Sequence, residues 1–282
     1  FNFCYSQNQI NLDVDNDLYF DSRDMYYSSG IFVSFSSLKN TDDKIFFNHF
    51  KIGQLIYTPS SRYEINPNLY DYPYSGYLFL ELSKQKQISE NSSFTFGGNI
   101  GITGDASLAK GMQNLYHDLV LDLPHLAWNS QMPQEFQINL VANYFKGFKI
   151  EDNVNITTKL YSKIGTYQIM TGVNFGILIG DINWTGFSDN LINNSKNKLS
   201  FYLGTHQEYY FHDYKLEGSL FNEDAPLTMT SNKYRNTIEV GLKKKFRNLQ
   251  ILTTFNSMSK DTEKQRTSRH PFLKISLSYQ LN

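Results

Sequence analysis

Pro271-Phe272-Leu273-Lys274-Ile275-Ser276-Leu277-Ser278-Tyr279-Gln280-Leu281-Asn282 ends the sequence, and its alternation decides the fold. Leu273, Ile275, Leu277, Tyr279 and Leu281 fall on one face, and Lys274, Ser276, Ser278 and Gln280 on the other. A period of two puts successive side chains on opposite faces of a strand, so this strand has one apolar and one polar face. The same pattern runs through the chain. Phe94, Phe96, Ile100 and Ile102 alternate with Ser93, Thr95, Asn99 and Gly101. Phe136, Ile138, Leu140, Ala142 and Tyr144 alternate with Gln137, Asn139, Val141 and Asn143, and Ile238, Val240 and Leu242 with Thr237, Glu239 and Gly241.

Separated by polar, Asn- and Gly-rich turns, these segments predict strands near 8–16, 26–37, 44–57, 75–88, 91–103, 135–149, 153–164, 167–180, 199–211, 233–246, 249–260 and 271–281. Soluble strands run about 5–6 residues, whereas crossing a bilayer at a tilt takes about 9–11. The length of the segments, their even number and the Ser, Thr, Asn, Gln and Gly of the polar face together predict an all-β fold. It is a transmembrane antiparallel β-barrel of about twelve strands with a hydrated lumen, set in an outer membrane. The first seven residues, Phe1 to Gln7, are apolar and aromatic and then stop abruptly. They read as the remnant of an export signal or as the start of a first strand, with 8–282 forming a single barrel domain.

Composition agrees with a barrel. The net charge of −1 gives no basic footprint for nucleic acid, and a single Cys allows no intrachain disulfide framework. No run approaches the roughly 18 apolar residues of a transmembrane helix, and a mean hydropathy of −0.45 is what alternating strands average to. The 20 Tyr and 22 Phe suit pleated surfaces and the aromatic girdles of membrane barrels.

One region breaks the period. Asp105–Leu121 places Leu108, Met112, Leu115 and Leu119 at helical spacing, with Gly104-Asp105 as its start and Leu123-Pro124-His125 as its stop. This predicts a short helical insertion at one barrel end, where function tends to sit on a rigid scaffold. The helix puts Gln113 and His117 on one face. Two further polar concentrations are Asp13-Val14-Asp15-Asn16-Asp17, at the end of the first strand, and Asp21 to Gly30, around the start of the second. Taken singly, such segments are turns and such a histidine is a packing residue. Taken together, bunched carboxylate and amide oxygens suit calcium, and a neutral His can accept a proton from water. That combination is sufficient for ester hydrolysis at a membrane surface. His49, His125, His206, His212 and His270 show no metal-ligand spacing and read as structural.

The motifs occur in a particular order. Asn16-Asp17 is followed by Arg23-Asp24-Met25-Tyr26-Tyr27-Ser28-Ser29-Gly30, by Gly53-Gln54-Leu55-Ile56-Tyr57-Thr58-Pro59 and by Asp71-Tyr72-Pro73-Tyr74-Ser75-Gly76. Gly101-Ile102-Thr103-Gly104, Gln113-Asn114-Leu115-Tyr116-His117 and Ala127-Trp128-Asn129-Ser130-Gln131 follow. This series resembles the outer-membrane lipid A 3′-O-deacylases, the LpxR family. The resemblance implies a twelve-stranded barrel in the outer membrane of a Gram-negative bacterium, a monomer that uses calcium to remove acyloxyacyl chains from lipopolysaccharide. It implies that Asn16, Ser28, Gln113 and His117 line the catalytic site, with His117 as general base and Asp17 and Asn16 on the calcium. Its partners would be lipid A and the surrounding outer-membrane lipids.

The sequence departs from the family at several points. Ser28 keeps a hydroxyl where the family has Thr, and Asp71-Tyr72-Pro73-Tyr74-Ser75-Gly76 loses an Arg. Arg62 stands for an expected basic residue, and Asp122 for an acid after the histidine. The competing readings are a non-enzymatic outer-membrane barrel, either a small pore or a surface-binding protein, and a soluble lipocalin-like binder.

Overall fold

The alternation at the end of the chain is that of a barrel wall. Within Arg269–Leu281, Ser276 and Ser278 are buried in the lumen while Leu277 and Tyr279 face outward. The computed structural model describes residues 7–19, 24–41, 44–61, 63–180, 185–189 and 199–281. The expected signal remnant at Phe1–Ser6 and Arg62 lie outside the described residues.

Twelve strands follow in order: β1 (Gln7–Asn16), β2 (Tyr26–Thr41), β3 (Lys44–Thr58), β4 (Ser75–Ser89), β5 (Ser92–Thr103), β6 (Phe136–Glu151), β7 (Val154–Gly165), β8 (Gln168–Ile179), β9 (Leu199–Asp213), β10 (Tyr234–Phe246), β11 (Leu249–Ser259) and β12 (Arg269–Leu281). Each pairs antiparallel with the next, and β12 pairs with β1 from Asn8↔Leu281 to Asn16↔Leu273. Closure leaves no sheet edge, the condition for strands to cross a bilayer. The pleat sets the faces: Gln9, Asn11, Asp13 and Asp15 are buried in the lumen, while Ile10 and Leu12 of the same strand are exposed.

The connections 17–25, 59–74, 104–135, 214–233 and 260–268 all leave the same end of the barrel. The other end has tight turns apart from the 180–198 connection, and the end carrying most of the long connections is the outer face of such barrels. Aromatic side chains fill this mouth. Tyr77 stacks on Tyr167 with centroids 3.9 Å apart, and Tyr74 on Trp128 at 5.0 Å. The tyrosine content is therefore not chiefly a girdle, because 11 tyrosines are buried among the described residues. Several of their hydroxyls reach polar partners: Tyr72 donates to Asp261 at 2.7 Å and Tyr77 to Asn99 at 2.8 Å.

The mouth also holds a buried ion cluster. Arg235 Nη1 lies 2.7 Å from Asp213 and 3.2 Å from Asp261, and Lys215 pairs with both carboxylates. It ties the 214–233 and 260–268 connections to the wall. Burial pushes the Asp261 carboxyl up, but the Arg235 and Lys215 charges outweigh it and hold the group below its usual range.

At the other end, Thr185–Asp189 packs into the lumen. Phe187 stacks on Tyr202, Ser188 donates to Glu239 and Asp189 pairs with Lys159. Between these fillings lies a polar cavity of about 220 Å³, lined by Asn11, Asp13, Lys51 and Lys274 among others.

The expected single helix over 105–121 is three pieces. A 3-10 turn (Gly104–Ser107) is followed by α1 (Ala109–Tyr116) and a π-helical turn (His117–Leu121). Leu108, at φ 61°, separates the first two, and Asp122, at φ 49°, ends the third one residue before the expected Leu123-Pro124-His125 stop. Arg235→Met leaves two buried carboxylates under-compensated, so it should cost about 3–5 kcal/mol, read as a lower urea midpoint. Because the folded-state value of Asp261 is depressed, its contribution is present above the ordinary 3.8 and lost as pH falls below it. Acid should therefore loosen the mouth in wild type more than in Arg235→Met.

Candidate active site

At the outer end of β1 the chain turns inward. Asn16 and Asp17 are buried, and Asp17 N donates to Ser28 O at 3.3 Å, which continues the β1–β2 ladder by one step. Opposite, the β2–β3 register shifts between Tyr27 and Ser29, so Ser28 is the extra residue of a β-bulge. A bulge re-aims a side chain off the normal alternation. Here Ser28, fully buried, meets Thr58 through a 2.6 Å hydroxyl–hydroxyl bond.

Asp17 Oδ2 accepts from Met25 N at 2.9 Å, which folds the start of β2 back over the end of β1. The next residue back, Asp24, reaches across to the helical insertion. Asp24 Oδ2 lies 2.6 Å from His117 Nε2, and both side chains are buried. His117 Nδ1 lies 3.1 Å from the Pro124 carbonyl oxygen. A carbonyl oxygen only accepts, so Nδ1 carries hydrogen, and both ring nitrogens are engaged, Nε2 by the Asp24 carboxylate.

One turn before His117, the Gln113 Oε1 accepts from the Trp128 indole at 2.9 Å. This pins the amide and turns its Nε2 away from Trp128, where the buried group has no hydrogen-bond partner. A buried donor left unpaired costs about 1–3 kcal/mol, so it reads as a place prepared for an acceptor. Asn16 is arranged similarly, its Oδ1 accepting from Leu18 N at 2.8 Å.

The backbone around the site is strained. Tyr26, Leu108, Asp122, Trp128 and Ser130 all have positive φ between 49° and 61°. Such residues cost about 1–3 kcal/mol each and cluster where the fold holds a functional geometry. Gly104, at φ 66°, opens the insertion, and a Cβ there would stand 2.5 Å from Gln134 N.

The structure thus brings the predicted residues to one end through a chain of contacts. Asn16-Asp17 joins Ser28 by a main-chain bond and Met25 by a side-chain bond, and Asp24 next to Met25 joins His117. Asp122, the candidate for an acid after the histidine, stands exposed at the end of the insertion, and the carboxylate against His117 is that of Asp24. Asp24 stood in the sequence beside Met25, but nothing in its spacing pointed 93 residues ahead. His270, read as structural, donates from Nε2 to Tyr27 O at 3.0 Å and lies 4.0 Å from Asp17 Oδ2. No local signal marks it, because barrel closure makes that contact.

The outer membrane protein LpxR family model matches residues 4–281. The chain belongs to the LpxR family of outer-membrane proteins. Its location is accordingly the outer membrane, and the resemblance drawn from the ordered motifs holds at the level of family. LpxR from Salmonella typhimurium superposes with a TM-score of 0.81 at 18% identity, over 96% of this chain and 99% of that one, which shows the shared fold. The KdgM porin (TM-score 0.43, 9% identity, 97% and 99% coverage) and the β domain of the Bordetella autotransporter BrkA (0.48, 6%, 97% and 98%) are more distant barrels. No curated protein sequence matches this one.

In this LpxR-family site, the donors nearest a cation would be the carboxylate of Asp17, the amide of Asn16 and adjacent main-chain carbonyls. These are hard oxygen donors of the kind calcium takes. Among the described residues no group of three or more His, Cys, Asp or Glu is arranged to hold a metal ion. A shell here would draw on main-chain and water oxygens beside Asp17. The His117–Asp24 pair yields a prediction that needs no metal. Asp24→Leu should destabilise the barrel by about 3 kcal/mol by stranding the buried imidazole, and Asp24→Leu with His117→Leu should recover about half. Urea unfolding of the four proteins of the cycle measures it.

Proposed function

We propose that this chain is a lipid A deacylase, a calcium-dependent hydrolase that removes an ester-linked acyloxyacyl chain from lipopolysaccharide with His117 as general base. The observation that carries the reading is the buried His117 itself, with Nδ1–H fixed on Pro124 O and Nε2 shared with a carboxylate. With Nδ1 held on a carbonyl, Nε2 is the one ring nitrogen that can act as the base, and it does so when the attacking water takes the place of Asp24 beside it. Family membership and the ordered motifs supply the substrate class.

The Asp24 carboxylate yields Nε2 to the attacking water, Nε2 takes the water's proton as its oxygen bonds to the ester carbonyl carbon, and Asp24 beside it stabilises the imidazolium that forms. The carbonyl oxygen gains negative charge and accepts from Gln113 Nε2 and from the Asn16 amide, both held by their oxygens. As the carbon–oxygen bond to the sugar breaks, the imidazolium returns the proton to the leaving oxygen. The products are a fatty acid and a free hydroxyl on lipid A. Asp17 and Asn16 would hold calcium, which when bound supplies positive charge beside the developing oxyanion. The Ser28–Thr58 pair keeps the bulge closed beneath these groups.

Purified barrel in detergent micelles with lipid A is expected to release the acyloxyacyl fatty acid, and a calcium-selective chelator is expected to stop it. His117→Gln should lower turnover by about 10²–10⁴-fold, and Gln113→Leu by about 10–10²-fold, with the barrel still folded. Full turnover by His117→Gln would remove the histidine from the mechanism. Activity that persists under chelation would remove calcium.

A further inference from the structure

The helical insertion has its faces the wrong way round for a soluble protein. Ala109, Gln113 and His117 are buried, and the insertion packs at Ser107 and Ala109 against Gln54, Ile56 and Gly76 on the outward face of β3 and β4. Leu108, Met112, Leu115 and Leu119 recur every three or four residues along the insertion, and all four are exposed. Leu119 is 75% exposed and Val120 beside it 61%. Lys110 and Asp118 are also exposed. A large apolar stripe left in water would be costly, and such patches mark an interface.

What covers the stripe follows from its attachment. Thr103 and Glu135, at the two feet of the insertion, are joined by a 3.0 Å main-chain bond. Directly below, Ile102 pairs with Phe136 and Ile100 with Ile138, and their outward side chains belong to the lipid-facing belt of the barrel. Phe136, at the top of that column, is 87% exposed. The apolar face of the insertion therefore continues the belt past the end of the strands. A face packed on protein, an exposed apolar face and charges between them suit an interfacial helix lying at the headgroup–acyl boundary.

We infer that α1 and the turn after it lie on the outer leaflet as a membrane-seated element, with Leu108, Met112, Leu115 and Leu119 among lipid acyl chains and Gln113 and His117 facing the barrel. Lipid esters would then reach the site from the leaflet side without leaving the membrane. The seating goes beyond the deacylase reading, and its test reads position first, so the two can fail separately.

The test uses the full-length barrel with Cys4→Ser, bearing an environment-sensitive fluorophore at Leu115→Cys, Leu119→Cys or Lys110→Cys, in phosphatidylethanolamine–phosphatidylglycerol vesicles. Spin-labelled lipid should quench the labels at 115 and 119 strongly and the label at 110 weakly, with the order reversed for iodide. Equal iodide quenching at all three positions would overturn the inference. So would labels at 115 and 119 shielded from both quenchers, which would put a second protein chain on that face. A second readout is Leu115→Ser with Leu119→Ser, for which the ratio of turnover on vesicle lipid A to turnover on detergent-dispersed lipid A should fall about tenfold. An unchanged ratio in an active enzyme would count against the seating.

Discussion

The site depends on one buried contact, Asp24 Oδ2 to His117 Nε2 at 2.6 Å. It joins the inward turn between the first two strands to an insertion carried 93 residues later between the fifth and sixth. Neither group belongs in a dry interior alone, because an isolated buried charge costs far more than a hydrogen bond returns. Each is tolerable only where the other stands, so the pair fixes how the insertion sits on the barrel. Once that seat is fixed, the helical period brings Gln113 to the same side, and Trp128 turns its amide.

The rest of the mouth serves the same geometry. Tyrosine rings give bulk and rigidity, and their hydroxyls satisfy carboxylates that a purely apolar filling would strand. The Asp213, Lys215, Arg235 and Asp261 cluster holds the later connections over the mouth without net buried charge. Positive-φ residues collect where the insertion starts, ends and packs. The barrel below is stiff enough to hold that strain, since every backbone group of its closed sheet has a strand beside it.

Much of the fold was legible because a barrel wall is a local pattern. Alternation in segments such as 136–144 and 273–281 depends only on which face meets lipid, and it located twelve strands to within a few residues. The tyrosines were harder to place, since the sequence does not distinguish a ring in a girdle from a ring in a plugged mouth. The helical insertion was visible as a change of period, but not the break at Leu108, because an apolar residue in the left-handed region leaves no compositional mark. Asn16, Asp17, Ser28, Gln113 and His117 stood out through the order of their motifs. Asp24 and His270 did not, because their roles come from contacts 93 and 243 residues apart that only closure and docking create.

The central claim is that His117 delivers water to an acyl ester of lipid A. The most direct measurement is turnover in water enriched in oxygen-18, with both products read by mass spectrometry. Attack at the carbonyl carbon predicts one heavy oxygen in the released fatty acid, none in the new lipid A hydroxyl, and release slowed about 10²–10⁴-fold by His117→Gln. Heavy oxygen in the lipid A hydroxyl, or labelled fatty acid released at an undiminished rate by His117→Gln, would contradict it.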